Sequence, residues 1–413
     1  MLASVVTLGC KVNEYESQSI LNQLKTNGYE ICEGLKPADV YVLNTCAVTN
    51  MAERKSRQML TKIFKLNPLA KIVVCGCAAQ NNPAQFLNNP NVIALTGNYG
   101  KHEILKFLEK ENKVLPPLQT GYTEFMPPIS TRARQYIKIQ DGCDYFCTYC
   151  LIPYLRGRSV SRPLKDIIEE VKNVNVAEIV LTGINMSDYK LNGKPALKKL
   201  LKEIDKLNIR FRLSSLECNV IDDEMLEILA NSLNFCPHFH LSLQSACNET
   251  LKRMNRHYTI EQFKIIVNKI RNKFANPCIS TDVIVGFKGE TDDEFNTTLN
   301  NLKEIKFDFM HIFPYSIRSG TVAEKLGGDV DKEVVKQREK QLQELNIKNK
   351  AEFYNRNKNT SHFVLVELVE DGFSLGYTEN YIYTYIEGEH KVGEIVNVNL
   401  IKPYKDGMRA KVK

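Results

Sequence analysis

The chain is patterned as an α/β protein in three parts: an N-terminal parallel-sheet α/β domain over residues 1–115, a central partial (βα)6 barrel over 130–354, and a small C-terminal antiparallel β-barrel over 355–413. Three observations lead there. Short apolar runs alternate with helical stretches in the first part, a strand-then-helix unit recurs six times in the middle, and period-two alternation takes over after the last long helix.

In the first part, residues 4–8, 39–43 and 71–74 are short, mainly apolar runs, as expected of buried parallel strands. The stretch 115–131, with Pro116, Pro117, Pro127 and Pro128, reads as a linker because proline favours extended and turn conformations. The middle part predicts strands at 136–139, 178–181, 210–213, 239–243, 281–285 and 309–313, with helices starting near Pro163, Pro195, Asp222, Thr259 and Thr291. Regular βα repetition implies right-handed crossovers and a parallel sheet, and six units rather than eight favour an incomplete barrel. A polar helix over 330–354 follows. Alternating strands at 362–369, 376–386 and 394–401, with glycines and Asp371 at the turns, then predict the small barrel.

With 43% apolar and 25% charged residues the composition is that of an ordinary globular protein. No run of about 18 apolar residues occurs and the N-terminus lacks a basic, then apolar, leader, so a cytoplasmic protein with no membrane span is expected. In that compartment thiols stay reduced. The 12 cysteines are therefore read as ligands, reactive thiols or core residues rather than as a disulfide framework.

Cys143, Cys147 and Cys150 stand in CxxxCxxC spacing on one loop after the first strand of the middle part. Three thiolates on a four-iron cluster leave one iron free to bind a further ligand, as open metal positions do generally. A zinc site is the alternative at this point. A second set lies in the first part, where Cys10, Cys46 and either Cys75 or Cys77 each follow a predicted strand. If those strands are parallel neighbours, their carboxyl ends converge and bring distant cysteines to one site. Gly9, Asn13, Asn44, Thr45, Gly76 and Gln80 surround them, small and polar residues that let a backbone approach a bulky ligand and donate to its sulfurs. Cys32, Cys218, Cys236, Cys247 and Cys278 show no ligand spacing.

Together these segments resemble a known family. TLGCKVN (7–13), NTCAVT (44–49), GCAAQ (76–80), IQDGCDYFCTYC (139–150), RLSSLE (212–217), LSLQS (241–245), TLKRMNR (250–256), TDVIVGFKGET (281–291) and GYTENYI (376–382) are similar to the radical S-adenosylmethionine methylthiotransferases. TLGCKVN, IQDGC and GYTENYI are most like the branch acting on N6-threonylcarbamoyladenosine in tRNA. The resemblance covers essentially the whole chain and implies an N-terminal cluster domain, a radical core and a C-terminal TRAM barrel.

It further implies two [4Fe-4S] clusters, one held by Cys143, Cys147 and Cys150 and one by Cys10, Cys46 and Cys77, the latter chosen over Cys75 by the GC-x-A-Q motif. One S-adenosylmethionine would be the methyl donor and a second the radical source. Tyr149, Gly183, Ser214, Glu217, Gln244 and Asp282, with Ser215 and Gly286 nearby, lie at strand ends where that cofactor is expected. The expected partners are the tRNA anticodon stem-loop and a reducing electron donor such as flavodoxin or ferredoxin. RNA contacts are expected from Arg54, Lys55, Arg57, Lys62 and Lys65 on one helix and from Arg132, Arg134, Arg156, Arg158 and Arg162 around the cluster loop. In the terminal barrel, Tyr377, Tyr381, Tyr383 and Tyr385 and the basic run Lys402, Lys405, Arg409, Lys411 and Lys413 are further candidates.

Overall fold

A computed structural model describes residues 1–110, 113, 115, 116, 121–129 and 132–413; residues 117–120, 130 and 131 of the expected linker lie outside the described residues. The first sheet has five parallel strands, β1 (Leu2–Thr7), β2 (Glu30–Glu33), β3 (Val40–Thr45), β4 (Lys71–Gly76) and β5 (Val92–Gly97), in the order β2-β1-β3-β4-β5. The three strands expected from the sequence are direct neighbours, with Thr7 opposite Asn44 and Thr45 opposite Gly76. Their carboxyl ends therefore meet at one edge of the sheet.

In the middle part, β6 (Arg134–Asp141) carries a short antiparallel edge, β7 (Val160–Ser161), and pairs in parallel with β8 (Glu178–Gly183). A hairpin of β9 (Lys190–Leu191) and β10 (Lys194–Pro195) precedes β11 (Arg210–Leu213). A second sheet holds β12 (His238–Gln244), β13 (Cys278–Val285) and β14 (Phe309–Pro314). The two sheets are joined just past β11, where Leu216 N–H donates to His240 O at 2.9 Å and Leu216 O accepts from Ser242 N–H at 3.0 Å. The result is six parallel strands in sequence order, an incomplete barrel. Asp222, Thr259 and Thr291 each cap the helix that follows, the last two in reciprocal capping boxes with Gln262 and Glu294. Pro195, expected near a helix start, instead ends the hairpin, and the helix begins at Leu197.

The terminal part closes into a five-stranded barrel of β15 (Ser361–Glu370), β16 (Phe373–Tyr377), β17 (Tyr383–Glu387), β18 (Ile395–Tyr404) and β19 (Gly407–Val412). The single strand expected over 376–386 is in fact the end of β16, a turn, and the start of β17. Tyr381 sits at φ +67° and its N–H donates to Thr378 O at 3.0 Å, while Ile382 N–H donates to the Thr378 hydroxyl at 2.8 Å.

That turn plugs the amino ends of the central strands. Arg212 donates to Glu379 O at 2.8 Å and Thr378 O at 2.6 Å, and Tyr381 stacks on His238 with ring centres 4.0 Å apart. Beneath it Glu178 is fully buried; burial alone would raise its pKa, but Arg212, Arg134 and Arg210 bring it down to about 2. The amino face of the central barrel is thus closed by the terminal barrel, leaving the carboxyl face toward the first domain.

Candidate metal centres at two strand edges

At the edge of the first sheet, Gly9 takes φ +107°, and a Cβ there would lie 2.9 Å from both Cβ and Sγ of Cys46. Gly76, at φ +93°, would place a Cβ 2.4 Å from Thr45 O. Only glycine fits either place. Asn13 ties the turns together, its amide donating to Leu8 O at 2.8 Å and Thr45 O at 3.0 Å. Cys10, Cys46 and Cys77 are mutual electrostatic neighbours. Cys46 and Cys77 are buried, Cys10 is accessible, and the Asn98 amide lies 3.7 Å from Cys77 Sγ. Burial pushes the Cys46 thiol up to about 11. Cys75 differs: it is buried in the opposite layer with Val5, Val42 and Ala94, and burial pushes its thiol up to about 12.

A buried ionic set joins this edge to the central barrel. Glu16 accepts from Lys101 at 2.5 Å, Lys138 at 2.8 Å and Arg156 at 2.9 Å, and Arg156 also reaches Asp141 at 3.0 Å and Asn13 Oδ1 at 2.8 Å. Cations outnumber carboxylates in that set, Arg156 is an electrostatic neighbour of both Cys10 and Cys77, and its Nε is buried without a partner. Such a surplus suits thiolates and an anionic cluster.

The second set lies on the loop after β6. Phe146 at φ +48° folds the loop, Thr148 N–H donates to Met254 O at 3.1 Å, and Asn255 donates to Tyr145 O and Phe146 O at 3.2 and 3.1 Å. Each sulfur has a donor: Tyr145 N–H to Cys143 at 3.5 Å, Arg256 to Cys147 at 3.2 Å, and Ile152 N–H to Cys150 at 3.4 Å. Burial pushes the Cys143 thiol up to about 11 and that of Cys150 up to about 12. Among the described residues no three cysteine sulfurs lie within 4.8 Å of one another. A single tetrahedral zinc, with Zn–S of about 2.3 Å, draws its sulfurs to about 3.8 Å. The donor sets, thiols with N–H or guanidinium donors beside them and a surplus of buried positive charge near Cys10 and Cys77, fit an anionic multi-iron cluster.

The remaining candidates line this carboxyl face in different ways. Gly183 packs on Gln140, whose Oε1 accepts from Asn185 N–H at 2.8 Å. Ser214 is buried with its hydroxyl 3.1 Å from Met186 Sδ, and Ser215 is exposed. Glu217, raised by burial and opposed by Arg256, forms an ion pair with that arginine. Gln244 sits at φ +70°, and its side chain has no hydrogen bond among the described residues. Asp282 accepts from His240 at 3.1 Å, and His311 lies with them, the three ligand atoms within 4.8 Å of one another. Tyr149 packs edge-on against Phe287 at 6.2 Å. Gly286, just past β13, has a missing side chain that makes room for Val335, 2.4 Å from where a Cβ would be. Arg256, His240 and His311 were not singled out from sequence; TLKRMNR was quoted as a motif, but what Arg256 contacts comes from elsewhere in the fold.

The basic residues divide sharply. Arg54, Lys55, Arg57, Lys62 and Lys65 are all exposed on helix Asn50–Leu66. Arg134, Arg156 and Arg162, expected to face RNA, are instead committed to internal carboxylates, Arg162 to Glu124 and Glu170. Arg132 and Arg158 remain exposed, beside Glu14 and Asp144. In the terminal barrel, Tyr377 and Tyr381 stack on each other against the core, correcting their expected availability, while Lys402, Lys405, Lys411 and Lys413 are exposed. Two clefts of about 530 and 690 Å³ flank helix Leu164–Asn173, and neither is lined by a cysteine.

Comparison with known proteins agrees with this layout. Residues 3–97 match the model described as uncharacterized protein family UPF0004, and residues 137–302 that of the radical SAM superfamily. The threonylcarbamoyladenosine tRNA methylthiotransferase MtaB of Bacillus subtilis is 37% identical, covering 98% of this chain and 96% of its own, and that of Aquifex aeolicus is 38% identical over 96% and 100%. A tRNA-2-methylthio-N(6)-dimethylallyladenosine synthase of Thermodesulfovibrio yellowstonii is 32% identical over 99% and 98%. Among solved structures, the radical S-adenosylmethionine methyltransferase TsrM of Kitasatospora setae shares the fold, with a TM-score of 0.58 at 13% identity over 91% of this chain and 77% of that one. With identity above 30% along nearly the whole length of the curated relatives, the chain belongs to the radical S-adenosylmethionine methylthiotransferase family.

Proposed function

We propose that this protein methylthiolates C2 of N6-threonylcarbamoyladenosine at position 37 of tRNA, next to the anticodon. It uses two S-adenosylmethionine molecules, one as methyl donor and one as radical source, and two [4Fe-4S] clusters. The observation that carries the reading is the pair of three-cysteine sets at facing strand edges, joined by the buried Glu16–Arg156 set. Bound there, the clusters and S-adenosylmethionine supply the radical and sulfur chemistry that an unactivated C–H bond needs and that acid–base side chains lack.

The chain's own contribution is holding, orienting and charge balance. Cys143, Cys147 and Cys150 hold one cluster, with Arg256 donating to the Cys147 sulfur and anchored in turn by Glu217. Cys10, Cys46 and Cys77 hold the other, with Arg156 offsetting its negative charge. Tyr149, Gly183, Ser214, Glu217, Gln244 and Asp282 surround the S-adenosylmethionine at the carboxyl ends of the strands, where the free amide of Gln244 and the carboxylates are polar groups able to orient it.

The RNA docks along helix Asn50–Leu66, whose N-terminus lies four residues beyond Cys46 and whose outer face carries five exposed cations. Exposed Val48, Met51 and Ile317 lie at its N-terminal end, an apolar rim suited to splayed loop bases. Flavodoxin or ferredoxin would supply electrons, and the setting would be the cytoplasm.

Nucleoside analysis of tRNA from a strain lacking the gene tests this reading. The methylthio form of threonylcarbamoyladenosine should vanish and return on complementation; its persistence without a second enzyme would sink the assignment. The anaerobically purified chain should carry about eight irons with matching sulfide.

A further inference from the structure

We propose that His240, Asp282 and His311 form a site for one divalent first-row cation, zinc or ferrous iron in class, separate from both cysteine sets. Two imidazoles and a carboxylate are a donor set that such cations favour. The three residues belong to the neighbouring parallel strands β12, β13 and β14, and register sets them on one face. His240 stands opposite Ser280, Asp282 is two residues beyond Ser280, and His311 stands opposite Asp282. That face is the inside of the incomplete barrel, because His238, two residues before His240, meets Tyr381 of the terminal barrel there.

One ligand atom from each residue lies within 4.8 Å of the other two, and this is the one such group among the described residues. His240 Nε2 is 3.1 Å from Asp282 Oδ2. Two donors about 2.1 Å from one metal, at angles of about 90° to 109°, stand about 3.0 to 3.4 Å apart, so this pair is already at chelating distance. His311 completes the set by turning its side chain. It is exposed on the edge strand, its imidazole has no hydrogen bond among the described residues, and its ring centre is 5.6 Å from that of His240.

A ligating histidine is usually held by a partner on its other nitrogen. Ser280 Oγ takes that place, 2.9 Å from His240 Nδ1 and 3.0 Å from Nε2 of the buried His238, so its hydroxyl can accept from His240 while donating to His238. In that arrangement His240 Nε2 turns a lone pair toward the Asp282 carboxylate, and a cation between the two reconciles them. In the opposite tautomer a proton on Nε2 does so, and metal and proton compete for one position. Lys11 feels the Asp282 charge but makes no ion pair with it among the described residues, so its ammonium does not fill the space.

Asp282 lies three residues before the end of β13, whereas Gly183 and Gln244 end their strands. The site therefore adjoins from below the place given to S-adenosylmethionine. Three protein ligands leave coordination positions open, and one carboxylate leaves a divalent cation with net positive charge. An anionic oxygen donor suits those positions.

Zinc is the probe, being redox-silent and distinct from cluster iron. The anaerobic holoenzyme is dialysed against chelator-buffered zinc, iron and zinc are counted, and X-ray absorption fine structure is recorded at the zinc edge. Wild type should hold one zinc beyond its cluster iron, with nitrogen and oxygen neighbours at about 2.0–2.2 Å and no sulfur at about 2.3 Å. His311→Ala, a change at an exposed side chain, and Asp282→Asn should each lose that zinc and keep their iron. Ser280→Ala should weaken zinc binding by roughly 10- to 100-fold. No zinc on a chain with full cluster iron overturns the inference and leaves the functional reading standing. Sulfur in the zinc shell, or zinc undiminished in His311→Ala, overturns it as well.

Discussion

Replacing Glu16 by glutamine keeps the shape of the side chain and removes the one charge that three buried cations share. Glu16 is 1% exposed and accepts from Lys101 at 2.5 Å, Lys138 at 2.8 Å and Arg156 at 2.9 Å. After the substitution only Asp141 remains to answer them. Breaking a buried ionic group by removing one partner typically costs about 3–5 kcal/mol, roughly a 150- to 5,000-fold shift in the unfolding equilibrium. Lys101 belongs to the first domain while Lys138 and Arg156 belong to the central one, so the loss should appear in the earliest transition of a guanidinium titration. The chain has no tryptophan, so the transition is followed by far-ultraviolet circular dichroism under anaerobic conditions. The pH dependence has a definite sign. Burial raises the Glu16 carboxyl, but Arg156, Lys101 and Lys138 overcome it and hold it well below the usual carboxylate range. Its contribution is therefore complete above the unfolded value of about 4.3 and fades as pH falls through the folded one. Wild type and variant should differ by a constant amount between about pH 6 and 8, and the gap should begin to narrow only below about pH 4 and close as pH falls through the depressed folded value. A difference under about 1 kcal/mol at neutral pH would refute the assignment of this set as the joint between domains.

Three further outcomes follow from the same contacts. Arg256→Lys should lower the reduction potential of the cluster on the CxxxCxxC loop, because the donor 3.2 Å from Cys147 Sγ is withdrawn, and an unchanged redox titration would count against it. Cys147→Ala should abolish S-adenosylmethionine cleavage, whereas Cys46→Ala should keep cleavage and stop thiolation; loss of cleavage in both would mean that the two sites depend on each other structurally. Tyr381→Ala removes the ring stacked on His238 and should loosen the terminal barrel by about 1–3 kcal/mol, read as faster proteolytic release of a fragment beginning near residue 355.

The central strands were legible to within three residues at either end because apolar residues recur in each, in short runs as in 178–181 and 281–285 or alternating with polar ones as in 210–213 and 239–243. Strand β2 escaped notice: Glu30–Glu33 lies at the sheet edge, where only one side needs to be apolar. The run 376–386 reads as one strand because tyrosines at 377, 381, 383 and 385 keep one period-two phase on both sides of Thr378-Glu379-Asn380, a turn fixed by the Thr378 hydroxyl rather than by glycine or proline. The cysteines were visible because strand ends must converge in a parallel sheet. Spacing could not separate Cys75 from Cys77, since two residues apart in a strand would share a face. Gly76 at φ +93° breaks that parity, sending Cys77 into a short helix toward Cys10 while Cys75 stays in the opposite layer. The arginines were misread for a different reason. A sequence gives their charge and not their partners, and the carboxylates that claim Arg156 and Arg162 include Glu16, 140 positions away, and Glu124, 38 away.

How the two cysteine sets hold their distance can be traced along one short segment. Cys150 ends the loop of the second set; Leu151 and Leu155, immediately after it, are buried in the core of the first domain with Cys77, Ala78 and Leu95. Leu155 O accepts from the Asn98 amide that also lies 3.7 Å from Cys77 Sγ, and Arg156 O accepts from Tyr99 at 2.5 Å. Six residues thus run from a thiol of one set to an arginine beside the other. On another side, Asn50 and Glu53 of helix Asn50–Leu66 bind Ser316, Ile317 and Arg318 of the loop after β14, with Asn50 donating to Ile317 O at 3.0 Å and Glu53 accepting from Arg318 at 2.8 Å. The first domain is therefore held at both the first and the last strand of the incomplete barrel. With the amino face plugged by the terminal barrel, a base reaching both cysteine sets has to enter between these two attachments. Exposed Met51 and Ile317 adjoin the second of these attachments, so changes there should alter RNA binding while leaving the cleavage of S-adenosylmethionine intact.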